Sequence, residues 1–443
     1  MSERWARVIL GAYGVAGAAA YPLIGPYVSW RARQGKEDRA RRGERYGRPS
    51  RPRPVGPLIW VHAASVGETN AVAPLVHELL NSEINVVLTT GTVASANVAT
   101  RVFGDTVTHQ YVPLDLRPAV RRFLGHWDPD LAVFVESEVW PMTILELNAH
   151  RIPQVLINGR LSDRSFAAWQ RRPHLAEVLF EKFAHVVAQS DEDGDRFQML
   201  GARPVTVSGN LKADAVPPGV DERALAMLSA QLQGRPVWAA ISTHPGEEKL
   251  AAEVHMILRD RHPGLLTIIV PRHPDRSSRI VSELAEMQLT VARRTTGEAI
   301  PQSADILLGD TIGEIGLYLR LSEIAFLGRS LTAQGGQNPL EPAMLGTAIL
   351  SGRNVQNFRE SYQKLIRAGG ARLVRDRDML AGAVHHLLKH DDVRRTMIGS
   401  AADAVEQMRG ALQRTLKALD PFIHPLVVKA RLERAEARDP EGA

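Results

Sequence analysis

The chain of 443 residues is 44% hydrophobic and 23% charged, a globular composition at a length where one hydrophobic core no longer suffices and two domains are expected. It has no cysteine, which excludes disulfides, thiolate zinc sites, iron–sulfur clusters and a cysteine nucleophile. The net charge of +5 raises nucleic acid as a partner, but residues 1–53 hold 12 Lys/Arg against 4 Asp/Glu and the rest carries a net −3, so the slightly acidic body sets nucleic acid aside.

Val8 to Trp30 is a run of 23 uncharged residues. At ~1.5 Å per residue it is long enough to span a hydrocarbon core of ~30 Å. Its many Ala and Gly residues, with Pro22 and Pro26, fit a kinked or interfacial anchor as well as a clean span. Ten Lys/Arg follow between Arg31 and Arg53. So dense a basic flank holds its side in the cytoplasm, against a cleaved signal peptide, and attracts anionic head groups by about 1 kcal/mol per residue near the surface. Residues 1–53 are therefore expected to form an anchor with its basic flank at an anionic inner-membrane surface. A solvated basic linker is the plainer alternative.

From residue 58 the text alternates short apolar runs with stretches of helical spacing: LIWVHAA before Thr69–Leu80, NVVLTT before SANVATRVF, LAVFVES before PMTILELNAH, then PQVLIN and HVVAQS. Near-continuous apolar strands alternating with helices predict a parallel sheet covered on both faces. Val216-Pro-Pro-Gly-Val220 ends regular structure. The grammar then repeats with PVWAAIS, LLTIIVP, ADILLGD, EIAFLGRS and TAILSG. The expected organisation is residues 54–215 and 216–420 as two doubly wound Rossmann-like α/β domains, with a helical tail over 421–443. Ligands in such folds bind beyond the carboxyl ends of the strands, so the residues there are the candidates.

Glu68, in the first turn of a helix after a strand and Gly67, is placed to be ionised and to act as a general base. Glutamate is also simply favoured in a first turn, and spacing alone does not choose. Glu136 and Glu138 follow another strand, and Lys212 lies in Gly-Asn-Leu-Lys at the end of the first half; a Glu and a Lys from different strand ends can meet in a pocket. In the second half, Pro271-Arg272-His273-Pro274 presents a guanidinium suited to phosphate, or a surface turn. Thr311-Ile312-Gly313-Glu314 and Asn338-Pro339-Leu340-Glu341 read as helix starts with capping glutamates. They are ordinary helix initiation, or amide donors for phosphate with a carboxylate for a ribose diol, with Gly335-Gly336 allowing a ligand near the backbone. Neither GxGxxG nor a P-loop accompanies them.

Together the strings WVHAASVGETNAVAPL, ESEVWP, INGRLSDRS, SGNLKAD, STHPGEE, VPRHPDR, GDTIGEIGLYL and GGQNPLEPAMLG resemble the 3-deoxy-D-manno-octulosonic acid (Kdo) transferases of bacteria, in order and over most of the chain. The resemblance implies a GT-B glycosyltransferase with two Rossmann-like domains facing a cleft, using CMP-Kdo as donor and a tetraacylated lipid A precursor as acceptor. It implies Glu68 as general base and Glu136 with Lys212 as a pair stabilising the transition state. It implies CMP contacts from Pro271, Arg272, Ile312, Gly313, Glu314, Asn338, Pro339, Leu340 and Glu341. With Arg272 and the two helix starts to take up the charge of the departing phosphate, no essential metal or other cofactor is expected. Two positions depart: Gln337 stands where the family commonly has His, and Met142 where it commonly has Asn. Gln cannot become cationic, so a charged role at 337 is excluded. A sugar-nucleotide epimerase on the same fold, or a membrane-tethered scaffold without activity, are the rival readings.

Overall fold

A computed structural model describes residues 3–232 and 234–438. Contacts divide the chain into two units, one of Met1–Ala215 with Arg409–Ala443 and the other of Val216–Met408. The first contains a seven-stranded sheet of β1 (Leu58–His62), β2 (Asn85–Thr90), β3 (Thr108–Tyr111), β4 (Leu131–Val135), β5 (Gln154–Gly159), β6 (His185–Ala188) and β7 (Val205–Val207), in the order β3-β2-β1-β4-β5-β6-β7. All its pairings are parallel, with Trp60 beside Val87 on one side and Ala132 on the other. Side chains alternate as the pleat demands: Trp60, Phe134 and Leu156 enter one core, and Ile59, Val61, Val133 and Val155 the other.

The second unit repeats the plan with β8 (Val237–Thr243), β9 (Leu266–Pro271), β10 (Val291–Arg293), β11 (Ile306–Leu308), β12 (Ile324–Leu327), β13 (Ala348–Ser351) and β14 (Ala371–Leu373), all parallel, in the order β10-β11-β9-β8-β12-β13-β14. The apolar runs of the sequence are the inner strands of both sheets. The four strands they did not reveal, β3, β7, β10 and β14, are all edges, only three or four residues long and partly exposed or polar. An edge strand need not be apolar on both faces, so it leaves no continuous run to read.

Two expectations change. Residues 409–420, expected in the second domain, belong to the first unit, and 421–438 continue the same helix, Ala411–Arg438, rather than forming a separate tail; residues 439–443 lie outside the described residues. Ala411 and Leu419 of this helix are fully buried in one core of the first sheet, and Asp214 accepts hydrogen bonds from the Gly410 and Leu412 amides at 2.8 and 2.7 Å.

The amino-terminal segment is a helix, Glu3–Ala20, a turn, Tyr21–Leu23, and a second helix, Ile24–Arg33, long and apolar enough in total to cross a membrane. One face, through Ala6 and Leu10, packs into the first unit's core, while Trp5, Val8, Tyr13, Val15, Leu23, Tyr27 and Trp30 are exposed. The basic stretch after it is not a linker. Arg45 is buried and paired with buried Glu37 at 2.8 Å, Arg41 chelates buried Glu44 at 2.9 and 3.0 Å, and Arg53 donates to the Trp127 carbonyl at 2.7 Å. Arg33, Lys36, Arg39, Arg42, Arg48 and Arg51 stay exposed.

Candidate active site

In each sheet the strand order reverses once, between β1 and β4 in the first and between β8 and β12 in the second. The loops beyond those strand ends diverge and leave room for a ligand. Glu68 follows β1 and Glu136 follows β4.

Ser65 caps the helix Val66–Asn81, its hydroxyl accepting from the Glu68 amide at 3.3 Å and donating to Glu68 Oε1 at 2.7 Å. The Ala64 amide donates to Glu68 Oε2 at 2.7 Å, so the carboxylate folds back over its own helix start. Glu68 is only 8% exposed. Burial, and then the nearby charge of Glu136, push its carboxyl up to about 7, with Glu138 adding to the rise and the Ser65 and Ala64 bonds opposing it. The helix dipole was expected to favour the ionised form; desolvation and a like charge outweigh it.

Glu136 sits in the left-handed region, φ 65°, a conformation costing a non-glycine residue about 1–3 kcal/mol. The Lys212 ammonium bonds directly to its Oε1, and Arg160 stands 3.9 Å from Oε2. Burial works against ionisation of Glu136, but Lys212 and Arg160 overcome it and hold this carboxyl below its ordinary range. Two neighbouring carboxyl groups are therefore driven apart, Glu136 paired and held low, Glu68 raised to about 7. That separation is what acid–base assignments rest on.

The apolar run ending β1 did not single out His62, which joins Glu138 beside them. Buried His62 contacts Thr89 through Nδ1 at 2.9 Å and Glu138 through Nε2 at 3.3 Å, and the Trp140 indole N–H donates to the same Glu138 oxygen. His62 ends β1, so the signal was a polar residue closing an apolar strand.

In the second unit Pro271 ends β9 buried, and Arg272 and His273 are exposed, with the Arg272 amide bonded to the Thr243 carbonyl at 3.0 Å. The pKa of His244, after β8, is lowered, by burial first; the charge of Glu247 opposes this, and Arg329, His273 and Arg272 add to it. Cationic or imidazole groups thus gather beyond β8, β9 and β12, an arrangement suited to phosphate. Arg329 was not singled out from sequence, nor was its support. Glu247, fully buried, accepts the amides of His244, Arg329, Ser330 and Leu331 at 2.7 to 3.2 Å, tying the loops after β8 and β12 together. Its neighbour Glu248 accepts from Thr243 and from both Arg276 amino groups at 2.8 to 3.1 Å. The run Gly-Glu-Glu after a strand was the available signal.

The two expected helix starts are shorter and differently capped. The helix after Glu314 is Ile315–Leu321, and Glu314 occupies the cap position instead of the third helical position. Its carboxylate is gripped by Arg294 at 2.9 and 3.1 Å and by Thr311 at 2.6 Å, while Ile312 is 82% exposed and Gly313 is exposed. The helix after Pro339 is Leu340–Met344; Asn338 still accepts the Leu340 amide at 3.2 Å, and donates to Glu341 at 3.1 Å. Helices of seven and five residues supply little dipole, so the cationic side chains carry the field here. Gly336, φ 74°, is required by its own chain, since a Cβ there would lie 2.9 Å from Val355 Cα. Gln337 Nε2 lies 3.4 Å from His244 Nε2. Among the described residues no three His or carboxylate side chains converge to hold a metal ion.

A family model described as 3-deoxy-D-manno-octulosonic-acid transferase (kdotransferase) matches residues 40–215. The 3-deoxy-D-manno-octulosonic acid transferase of Haemophilus influenzae is 34% identical over 414 residues, 91% of this chain and 96% of its own. The chain belongs to the Kdo transferase family. It is thus a glycosyltransferase, and the same-named protein of Bordetella pertussis matches at 34% over 93% of this chain and 99% of its own. A UDP-GlcNAc 2-epimerase from Neisseria meningitidis, solved with UDP-GlcNAc, superposes at a TM-score of 0.53 over 81% of this chain and all of its own, at 14% identity. That likeness shows the fold alone, a GT-B-like pair of α/β units. The epimerase rival shares the fold, whereas the Kdo transferases share the sequence.

Proposed function

We propose that this Kdo transferase moves Kdo from CMP-Kdo to a tetraacylated lipid A precursor, lipid IV-A, in one inverting displacement within lipopolysaccharide core synthesis. Glu68 takes the proton of a glucosamine hydroxyl as that oxygen attacks the anomeric carbon and CMP leaves. The observation that carries this reading is the place of Glu68, a buried carboxyl beyond β1 held by Ser65 and the Ala64 amide and raised to about 7 beside Glu136. Glu136 and Lys212 act as a pair on the cation-like transition state, the carboxylate stabilising its positive charge and the ammonium keeping that carboxylate ionised. Arg272 leads the donor contacts, with Pro271, Ile312 through Glu314 and Asn338 through Glu341 shaping the nucleotide site, and its guanidinium takes up charge on the departing phosphate without an essential metal.

The helix Glu3–Ala20, with one face against the first unit and aromatic and aliphatic side chains exposed, supports attachment of the enzyme to the anionic cytoplasmic surface of a bacterial inner membrane. The deciding experiment incubates purified protein with CMP-Kdo and the tetraacyl precursor and counts additions by mass spectrometry. One or more Kdo units on the lipid, undiminished in excess EDTA, is the expected result. No addition refutes the substrate assignment, and activity lost to EDTA but restored by a divalent ion refutes the metal-free mechanism.

A further inference from the structure

The basic segment after the apolar run reaches the catalytic loop through the backbone. Arg45 is 6% exposed, although it belongs to a stretch rich in solvated arginines. Its Nε pairs with Glu37 at 2.8 Å, and Arg31 holds the other Glu37 oxygen at 3.0 Å. Its Nη2 donates to the Gly91 carbonyl at 2.6 Å, just beyond the end of β2. The Gly91 amide donates to the Ala64 carbonyl at 3.0 Å, and the Ala64 amide donates to Glu68 Oε2 at 2.7 Å. Around this line Tyr111, at the end of β3, lies between the guanidinium groups of Arg41 and Arg45 at 4.9 and 5.0 Å, and its amide donates to Glu44 at 2.7 Å. The spacing at Gly91 is exacting: a Cβ there would lie 2.8 Å from the Ala64 carbonyl oxygen.

We infer that Arg45, held by Glu37, is a positioning residue that sets the Glu68 carboxylate through the Gly91–Ala64 backbone bridge, so that the basic segment is part of the acceptor-side catalytic architecture as well as a flank of the anchor. This rests on the reading of Glu68 as general base. A buried guanidinium on a carbonyl is a charge-assisted bond, so it fixes the 91–92 peptide more firmly than an amide would, and through the Gly91 Cα it steadies the adjoining 90–91 peptide whose N–H reaches Ala64. Fixing that peptide fixes Ala64, the backbone donor to Glu68.

The test compares Arg45→Gln, Arg45→Lys and Gly91→Ala in the full-length enzyme, with CMP-Kdo and the tetraacyl precursor. Misplacing a catalytic group by a fraction of an ångström to an ångström lowers turnover by roughly 10- to 100-fold. Arg45→Gln and Gly91→Ala are expected to lower kcat within that range, with the acceptor KM and CMP affinity little changed and Arg45→Lys recovering part of the loss. Because the Ala64 bond lowers the pKa of Glu68, both variants should also move the ascending limb of kcat/KM to higher pH. The other charges facing that carboxylate, Glu136 with Lys212 and Arg160 and Glu138 with His62, are untouched. In a Glu68→Gln background the same changes should cost almost nothing further, as expected of groups acting through one another. A purely structural Arg45 would lower the melting temperature and leave kcat per folded molecule and the limb unchanged, which overturns the inference. Gly91→Ala keeps it falsifiable if Arg45→Gln fails to fold. Normal turnover in Glu68→Gln overturns the base assignment and this inference with it; an inactive Glu68→Gln beside an unimpaired Arg45→Gln and Gly91→Ala overturns this inference alone.

Discussion

The strand ends of the two sheets face opposite chemical problems. In the first unit the strand ends bring two buried carboxyl groups together, Glu136, strained and paired with Lys212, and Glu68, raised to about 7. In the second the carboxylates Glu247 and Glu248 are spent on holding loops, and what the loops present outward is Arg272 and His273, both exposed. The first arrangement spends stability to tune a proton affinity; the second spends its buried charge on geometry and leaves its cations hydrated. A glycosyl transfer needs both, a tuned base for the incoming hydroxyl and a fixed positive field for the leaving phosphate.

This contrast predicts that substitutions in the two units fail in different ways. Glu68→Gln should lower kcat by about 10²- to 10⁴-fold while calorimetry finds CMP binding unchanged. Loss of CMP affinity in that variant would blur the contrast. Lys212→Met leaves Glu136 buried without its main partner, and breaking such a pair typically costs about 3–5 kcal/mol, measured as a lower denaturant midpoint. Arg272→Ala should do the reverse of Glu68→Gln, weakening CMP binding by roughly 10- to 150-fold for the loss of one charged hydrogen bond while thermal stability holds, because the side chain is exposed.

The smallest effect is in the pH profile. With its pKa raised to about 7, Glu68 is protonated below that value and cannot accept a proton, so kcat/KM should fall about tenfold per pH unit there. CMP binding should lack that limb. The sign for stability is opposite: a carboxyl whose pKa is higher folded than unfolded makes the fold less stable as pH rises from about 4.5 to about 7. A kcat/KM limb near pH 4 to 5 would show that Glu68 is not perturbed during turnover.

Much of this was readable in the residues because each inner strand had to be apolar on both faces, and following those strands to their ends leads to Glu68, Glu136 and Arg272 as candidates, at strand ends in the structure too. What was not readable depended on partners distant in sequence. Arg45 looks like its neighbours Arg42 and Arg48 until Glu37 and the Gly91 carbonyl are beside it. Glu247 looks like any first-turn glutamate until the loop after β12 delivers three amides to it. The pattern at Thr311–Glu314 was sound as a capping motif, but Arg294, twenty residues earlier, claims the carboxylate and the helix begins one residue past it. The rise in the pKa of Glu68 likewise needs Glu136, which only the β1–β4 pairing brings close.

The return of the chain to the first unit has a consequence for how the protein is made. Translation releases the first 215 residues, then the whole second unit, and only then the helix Ala411–Arg438 whose Ala411 and Leu419 complete the first core. At ~5–20 residues per second the first sheet waits ten seconds or more on the ribosome with one of its two cores lacking the part this helix supplies, while the unit begun later can finish before it. A stop codon near residue 409 would spare every strand and every candidate catalytic group, yet leave a nascent chain whose oldest half is unfinished. This helix is therefore the step that completes the older unit's core, after the younger unit is already made.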